Sequence, residues 1–237
     1  MNFSNIKNIF LKELRSYFNS AVAYIVMCVF LIILGWFFTS NLFLANASTL
    51  RTVFEMTPFL LLFFAPAITM RLISEEKKSG TLEILMTRPV QEYEIVLGKF
   101  LAALALYACT LLPTLTYFVT VSILGKLDLG PVIGGYLGLL FVGGVFLSVS
   151  VFGSAITENQ VVAFIVSFLI VFVLFILDKV LILVSPALAS IFEYISIDYH
   201  FSNIARGVID TRDVIYYLST MAFSLVLGTV ALQKRHW

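Results

Sequence analysis

Six long apolar stretches divide this chain, and short polar connections separate them. A helix needs roughly 20 apolar residues to cross about 30 Å of hydrocarbon, because each residue advances about 1.5 Å. Lipid offers the backbone no hydrogen-bond partner, so each stretch must be helical. The predicted spans are Ala21–Ser40, Thr57–Ile73, Val96–Leu124, Val132–Ile156, Val161–Val184 and Val214–Leu232. The sequence therefore predicts one all-α integral membrane domain over residues 1–237.

Composition supports a membrane protein and excludes several other classes. Hydrophobic residues make up 60% of the chain and charged residues 12%, whereas soluble domains contain about 25% charged residues. The net charge of +1 comes from scattered residues, which gives no indication of a nucleic-acid partner. Cys28 and Cys109 lie in apolar stretches without metal-ligand spacing, and no hydrolase or phosphate-loop motif occurs. We therefore expect no catalytic site, cofactor or metal on this chain.

Prolines and basic residues refine the topology. Pro58 and Pro66 predict a kink in the second span, and Pro113 predicts a bend in the third. If the N-terminus is cytoplasmic, ten of the 15 lysines and arginines lie inside and five lie outside. Because positive residues favour the cytoplasmic side, we expect both termini there.

Residues 1–20 form a pattern of their own. Apolar residues recur at three- and four-residue steps, and Lys12 and Arg15 fall on the opposite side. This pattern predicts a basic amphipathic helix lying in the membrane interface. A plain cytoplasmic extension of the first span is the alternative.

The fourth span is rich in small residues. Gly134 and Gly138 form a GxxxG pair, and Gly144 with Ser148 continues the spacing. Small residues let helix backbones approach closely in lipid. Packing within the subunit and a subunit–subunit face both fit this pattern.

Residues 185–213 contain apolar stretches too short to span. We predict two short re-entrant helices at the outer surface, Ala187–Ile195 and Phe201–Val208, with a mobile connection as the alternative. Charged residues could form a polar network there: Glu193, Asp198, Asp210 and Asp213 against Arg206 and Arg212. Asp178 and Lys179 fall near the outer end of the fifth span, either as interfacial residues or as polar lining of a pathway.

The most strongly charged connection, Arg71–Lys99, follows the second span. Ser79-Gly80 predicts a turn, and Thr81–Thr87 predicts a short apolar helix that ends before Pro89. Such a helix outside the membrane needs a groove, supplied either by a partner or by the underside of the bundle.

The string RLISEEKKSGTLEILMTRPV resembles the coupling-helix signature of type-two ABC exporter permeases. The N-terminal helix, the six spans and the outer segment extend the resemblance over the whole chain. The string DYHFSNIARGVIDTRDVIYYLS resembles the permease subunit of gliding-motility ABC transporters of Bacteroidota-type bacteria. The resemblance implies a multi-pass subunit of the bacterial inner membrane.

The resemblance also implies how the subunit would work. Segment 74–92 would contact a dimer of separate ATPase subunits, which would carry ATP and magnesium. Its coupling residues would be Glu75, Glu76, Gly80, Thr81, Leu82, Glu83, Leu85, Met86 and Pro89. Leu82, Leu85 and Met86 would enter the ATPase groove, while Glu76 and Glu83 would pair with its basic rim. Lys12 and Arg15 would brace the same interface.

A second membrane subunit with a large outer domain, or a second copy of this chain, would complete the complex within membrane lipid. Export or mechanical transmission would be driven from the ATPase. A secondary transporter or a scaffold subunit without an ATPase is the alternative function. Copurification with an ATPase would separate these possibilities.

Overall fold

A computed structural model of the protein describes residues 3–44, 49–86, 89–125, 127–180 and 194–234. The regular elements within these ranges are helical. They are α1 (Phe3–Phe18), α2 (Ala21–Leu44), α3 (Arg51–Thr69), α4 (Ser74–Lys78), α5 (Thr81–Met86), α6 (Glu92–Leu111), α7 (Leu115–Leu124), α8 (Leu129–Ala155), α9 (Gln160–Val180), α10 (Ile197–Ala205) and α11 (Thr211–Gln233).

Six helical stretches are long and apolar enough to cross a membrane, which confirms the predicted all-α fold and its six spans. They are α2, α3 with α4, α6 with α7, α8, α9 and α11.

The second stretch begins at Arg51, six residues before the predicted start. Arg51 and Glu55 form an ion pair of 2.7 Å one turn apart, which stabilises this added polar turn.

The prolines have different effects on the two spans that contain them. Helix α3 is continuous through Pro58 and Pro66. Between α6 and α7, Leu112–Thr114 instead forms a 3₁₀ turn around Pro113. Proline lacks the N–H group that an α-helix interior requires, so the hydrogen-bond pattern changes there. The third span is therefore two α-helices joined by a tighter turn.

Helix α8 is central to the bundle and packs against α3, α6, α9, α10 and α11. Its small residues face neighbouring helices of the same subunit. A Cβ placed on Gly134 would lie 2.1 Å from the carbonyl oxygen of Ile204. At Gly138 it would lie 2.9 Å from the ring of Phe201. These contacts match the alternative in which the small residues serve packing within the subunit.

The same pattern continues along α8. A Cβ on Gly144 would lie 2.8 Å from the sulfur of Met221. Ser148 is fully buried, and its hydroxyl donates to the carbonyl of Val145 at 2.8 Å. Absent side chains thus let α10 and α11 approach the α8 backbone.

Helix α1 is the predicted N-terminal helix, and it packs along the start of α6. Ile6, Ile9 and Tyr17 are buried. Gly98 of α6 makes room for Ile9, because a Cβ there would lie 2.8 Å from Cγ2 of Ile9. A position of α1 in the membrane interface stays a prediction.

Candidate functional site

Four charged side chains meet where α1, α4 and α6 converge, and we call Lys12, Glu13, Glu76 and Lys99 the charge cluster. The Nζ atom of Lys99 lies 2.9 Å from Oε1 of Glu13 and 2.9 Å from Oε2 of Glu76. It also donates to the carbonyl oxygen of Leu72 at 2.7 Å. Only 1% of the Lys99 side chain is exposed. A buried ammonium requires such neutralisation, because an unpaired charge in an apolar interior is strongly unfavourable.

Lys12 completes the cluster from its exposed side. Its Nζ atom lies 3.1 Å from Oε1 of Glu76 and 3.3 Å from Oε1 of Glu13. Partial burial alone lowers the pKa of Lys12, but the two carboxylates outweigh that effect and hold this pKa above its usual value. The cluster therefore contains two cations and two anions and is electrically balanced.

Two further residues of α1, Tyr17 and Asn5, attach it to the second and third spans and to the connection between them. The hydroxyl of Tyr17 donates to the carbonyl oxygen of Ile68 at 2.8 Å. Burial raises the pKa of this hydroxyl well above its usual value. The amide of Asn5 donates to Glu94 Oε2 at 2.9 Å and to the carbonyl of Pro89 at 3.2 Å. Helix α1 thus contacts the chain just before the segment that the sequence singles out and also within its later part.

Helix α4 is fastened to the end of α8. The hydroxyl oxygen of Ser154 accepts from the backbone N–H groups of Ile73 at 3.2 Å and Ser74 at 3.1 Å. The same hydroxyl donates to the carbonyl of Met70 at 2.9 Å. Lys77 donates from Nζ to the carbonyl of Ala155, the last residue of α8. These contacts satisfy backbone groups that α3, α4 and α8 leave unpaired at their ends.

Helix α5 follows a sharp turn at Gly80, whose φ of 69° lies in the left-handed region that favours glycine. Leu82 is fully buried in the bundle of its own chain. Leu85 is half-buried against the same core, and Glu83 is exposed. Leu82 therefore serves as an internal anchor in this structure, instead of presenting its side chain to a partner as expected. The apolar side of α5 needs a groove to pack into, and the bundle of the same chain supplies that groove.

The other predicted coupling residues are distributed between surface and interior. Glu75, Thr81 and Pro89 are exposed. Glu76, which we expected to pair with an ATPase, has its carboxylate occupied by Lys12 and Lys99. The side chain of Met86 lies outside the described residues. A role of these residues in ATPase contact stays a prediction.

A cavity of about 380 Å³ opens between α1 and the connection from α3 to α5. Its lining consists of charged residues, hydroxyl-bearing residues and one leucine: Lys12, Glu13, Ser16, Tyr17, Ser20, Arg71, Leu72, Glu75, Glu76, Ser79 and Thr81. Three residues of the charge cluster, Lys12, Glu13 and Glu76, belong to this lining. Ser20 and Arg71 belong to it as well, and Nη2 of Arg71 donates to the Ser20 hydroxyl oxygen at 3.3 Å.

The opposite end of the bundle holds a second buried polar group. Nδ1 of His200 lies 2.6 Å from Oδ1 of Asp213, and Nε2 lies 3.0 Å from the carbonyl oxygen of Tyr194. The imidazole stacks on Tyr216 with ring centroids 4.0 Å apart. The hydroxyl of Tyr217 donates to the carbonyl of Ile197 at 2.9 Å. Together these contacts hold α10 against the start of α11.

The charged network expected in residues 185–213 differs in the structure. Asp213 pairs with His200, and Asp198 pairs with Lys179 at 2.8 Å. Asp210 accepts from the backbone N–H of Arg212 and caps α11. Arg206 and Arg212 are exposed, and neither forms an ion pair within the described part of the chain. The aspartates are engaged by helix ends and by a histidine, so the arginines are left to solvent.

Helix α10 overlaps the predicted helix Phe201–Val208, but it begins four residues earlier, at Ile197, and ends three residues earlier, at Ala205. Ser196 accounts for that start, because its side chain accepts from the backbone N–H of Tyr199 and caps the helix. Most of the other predicted helix, Ala187–Ile195, and Glu193 lie outside the described residues. Lys179 reaches α10 through Asp198, which favours the interfacial interpretation of Lys179. The Asp178 side chain is outside the described set.

Sequence reasoning missed several residues of this site. Glu13 and Lys99 were not singled out, although a lysine in an apolar stretch signals a buried partner. Ser154 carries no pattern that distinguishes it from other serines in membrane helices. His200 falls in a connection between spans and carries no motif, and its partner Asp213 is 13 residues away.

The six apolar spans and their polar ends define a multi-pass membrane protein. Comparison with protein families matches residues 7–235 to the family described as ABC-2 family transporter protein. The chain belongs to this family. A search of curated proteins gave no match. The family assigns the chain to the membrane subunits of ABC transporters.

Proposed function

We propose that this chain is the permease subunit of an ATP-driven ABC transporter and that residues 74–92 receive the motion of a separate ATPase. The family supports the membrane-subunit part of this proposal. The observation that carries the coupling part is the attachment of α4 at two places. The charge cluster fixes it to α1 and α6, and Ser154 fixes it to α8.

This attachment suits a coupling element for a mechanical reason. A displacement can be transmitted only if the moving segment is held firmly to the elements that respond. Helix α4 contacts the C-terminal end of α8 through Ser154 and Lys77. Helix α8 in turn carries α10 at its other end through Gly134 and Gly138. The single helix α8 therefore connects the proposed ATPase side of the bundle to its proposed outer side.

The surface for the ATPase would comprise the outward side of α5 and its flanks. Thr81 and Glu83 are exposed, and Leu85 is half-buried. Lys12 and Arg15 would brace the same surface from α1. The ATPase dimer would bind ATP with magnesium, and this chain would contribute no catalytic residue.

The proposed complex is of the gliding-motility type in the inner membrane, with both termini of this chain in the cytoplasm. The resemblance of residues 198–219 supports that subtype. A second membrane subunit with a large outer domain, or a second copy of this chain, would complete the membrane part. The work done would be export or mechanical transmission across the membrane.

Coexpression with an ABC ATPase subunit from the same genome tests the proposal. Leu85→Asp places a carboxylate in the apolar part of the contact and should abolish copurification, since central interface residues contribute about 2 kcal/mol or more. Glu83→Lys should weaken copurification less. The matched control is Asn159→Asp, which adds a carboxylate at the same end of the bundle. It keeps an oxygen to accept from the N–H of Val161. Normal assembly with Leu85→Asp in a correctly inserted protein would refute the coupling role.

A further inference from the structure

The lining of the cavity between α1 and α4 includes two charged residues that lie outside the charge cluster. Lys12, Glu13, Glu76 and Lys99 neutralise one another, which leaves Arg71 and Glu75 among the charged lining residues. Within the described ranges neither of these two side chains forms an ion pair. A cation and an anion with unused charges thus line one opening.

Arg71 and Glu75 are one turn apart along the chain. The backbone N–H of Glu75 donates to the carbonyl of Arg71 at 3.4 Å. Residues four apart on such a turn are neighbours on one side of it, close enough for an ion pair. They form none, and both line the cavity instead. The free charges are therefore presented to whatever occupies the cavity.

Two residues of the cavity lining lie next to the ends of apolar spans. Ser20 directly precedes α2, and Arg71 comes two residues after α3 ends. Both residues therefore stand where an apolar span meets the polar zone. The remaining walls supply hydroxyl groups, including those of Ser16, Ser79 and Thr81. A cavity of about 380 Å³ at the ends of these spans has room for a lipid headgroup.

We propose that this cavity binds the headgroup of phosphatidylethanolamine. The phosphate is placed against the guanidinium of Arg71, whose planar N–H groups match phosphate oxygens. The hydroxyls of Ser16 and Ser20 donate to the same phosphate. The primary ammonium is placed against the carboxylate of Glu75, where it donates hydrogen bonds.

The geometry also sets the selectivity among lipids. Phosphatidylglycerol offers the phosphate to Arg71 but has no cation for Glu75. Phosphatidylcholine carries a quaternary ammonium that cannot donate a hydrogen bond. The site therefore prefers the lipid that has both a phosphate and an amine with N–H groups.

Native mass spectrometry of the purified, delipidated chain tests this preference. The protein is titrated with phosphatidylethanolamine, phosphatidylglycerol and phosphatidylcholine of identical acyl chains. We expect phosphatidylethanolamine to bind about fivefold more tightly than either other lipid. One additional ion pair that is partly exposed to solvent provides a gain in affinity of about this size. Equal binding of the three lipids by the unaltered protein would overturn the proposal.

Three variants assign the preference to the site. Glu75→Gln should reduce phosphatidylethanolamine binding to the level of phosphatidylglycerol and leave phosphatidylglycerol binding no weaker. Arg71→Gln should weaken both lipids, and it removes only one hydrogen bond of 3.3 Å from the folded protein. Arg15→Gln is the matched control, because Arg15 is exposed on α1 and does not line the cavity. A lipid preference that survives both cavity variants would contradict the assignment.

Free phosphoethanolamine distinguishes a lipid from a soluble source of the same chemistry. It should compete weakly, since it lacks the acyl chains that in a bound lipid would add apolar contacts with the spans. If it binds as tightly as the lipid, the occupant is a soluble phosphate ester and the lipid assignment is wrong. These measurements require no ATPase, so they stand or fall separately from the proposed coupling function.

Discussion

Replacement of Lys99 by methionine gives the sharpest test of the charge cluster. Methionine fills a similar volume but removes the ammonium that contacts Glu13, Glu76 and the Leu72 carbonyl. The variant leaves two carboxylates facing each other in a largely buried place. We expect the chain to fold less stably and α4 to lose its attachment to α6.

The size of the expected loss of stability follows from the burial of the cluster. Removal of one partner from a buried ion pair costs about 3–5 kcal/mol. Glu13 and Glu76 retain 10% and 17% side-chain exposure, and Lys12 still contacts both. These features moderate the loss, so we expect a decrease of about 3 kcal/mol in the free energy of unfolding.

The measurement is an unfolding titration of purified protein in mixed micelles, followed by circular dichroism. Lys7→Met is the matched control, because Lys7 is exposed on α1, and its effect should stay within about 0.5 kcal/mol. Combining Lys99→Met with Glu13→Gln and Glu76→Gln should restore at least half of the loss, since the uncompensated charges are then gone. A Lys99→Met protein as stable as the Lys7→Met protein would refute the reasoning.

Three further predictions concern the helix contacts and the topology. Gly134→Ala forces a Cβ against the Ile204 carbonyl and should cost about 1–3 kcal/mol and speed amide exchange in α10, whereas Gly130→Ala, with its nearest contact at 3.7 Å, should not. His200→Phe keeps the ring stack but strands a buried carboxylate, so thermal unfolding should show a loss of about 2 kcal/mol, and an unchanged midpoint would contradict this role. Cysteines at positions 79 and 202 should react with impermeant reagents from opposite sides of the membrane, and same-side labelling would exclude the six-span topology.

The fold could be predicted largely from the sequence because the bilayer imposes one strong rule. A backbone in hydrocarbon must satisfy its own hydrogen bonds, so apolar length alone locates the spans. The boundaries were less predictable, because polar side chains can extend a helix beyond its apolar part. Arg51 and Glu55 do so at the start of α3.

The candidate site was only partly predictable, since its contacts join residues far apart in the chain. The segment around Gly80 was recognisable from its charge and turn residues. The residues that hold this segment in place were not recognisable from the sequence. Glu13 and Lys99 are separated by 86 positions, and Ser154 lies 80 positions after Ser74. No local period or spacing encodes such pairs. Leu82 shows the same limit, because an apolar residue in a short helix fits an internal core as well as a partner.

The burial of α8 restricts how the subunit can change shape. Five helices surround it, and at Gly134 and Gly138 the close approach leaves no space for even a methyl group. Packed interfaces of this kind do not deform continuously, so sliding α8 past one neighbour would disturb several contacts together. Helices α2, α9 and α11 keep large apolar surfaces outside these contacts. Motion of the whole subunit as a rigid body against lipid or another chain therefore meets the smallest internal resistance.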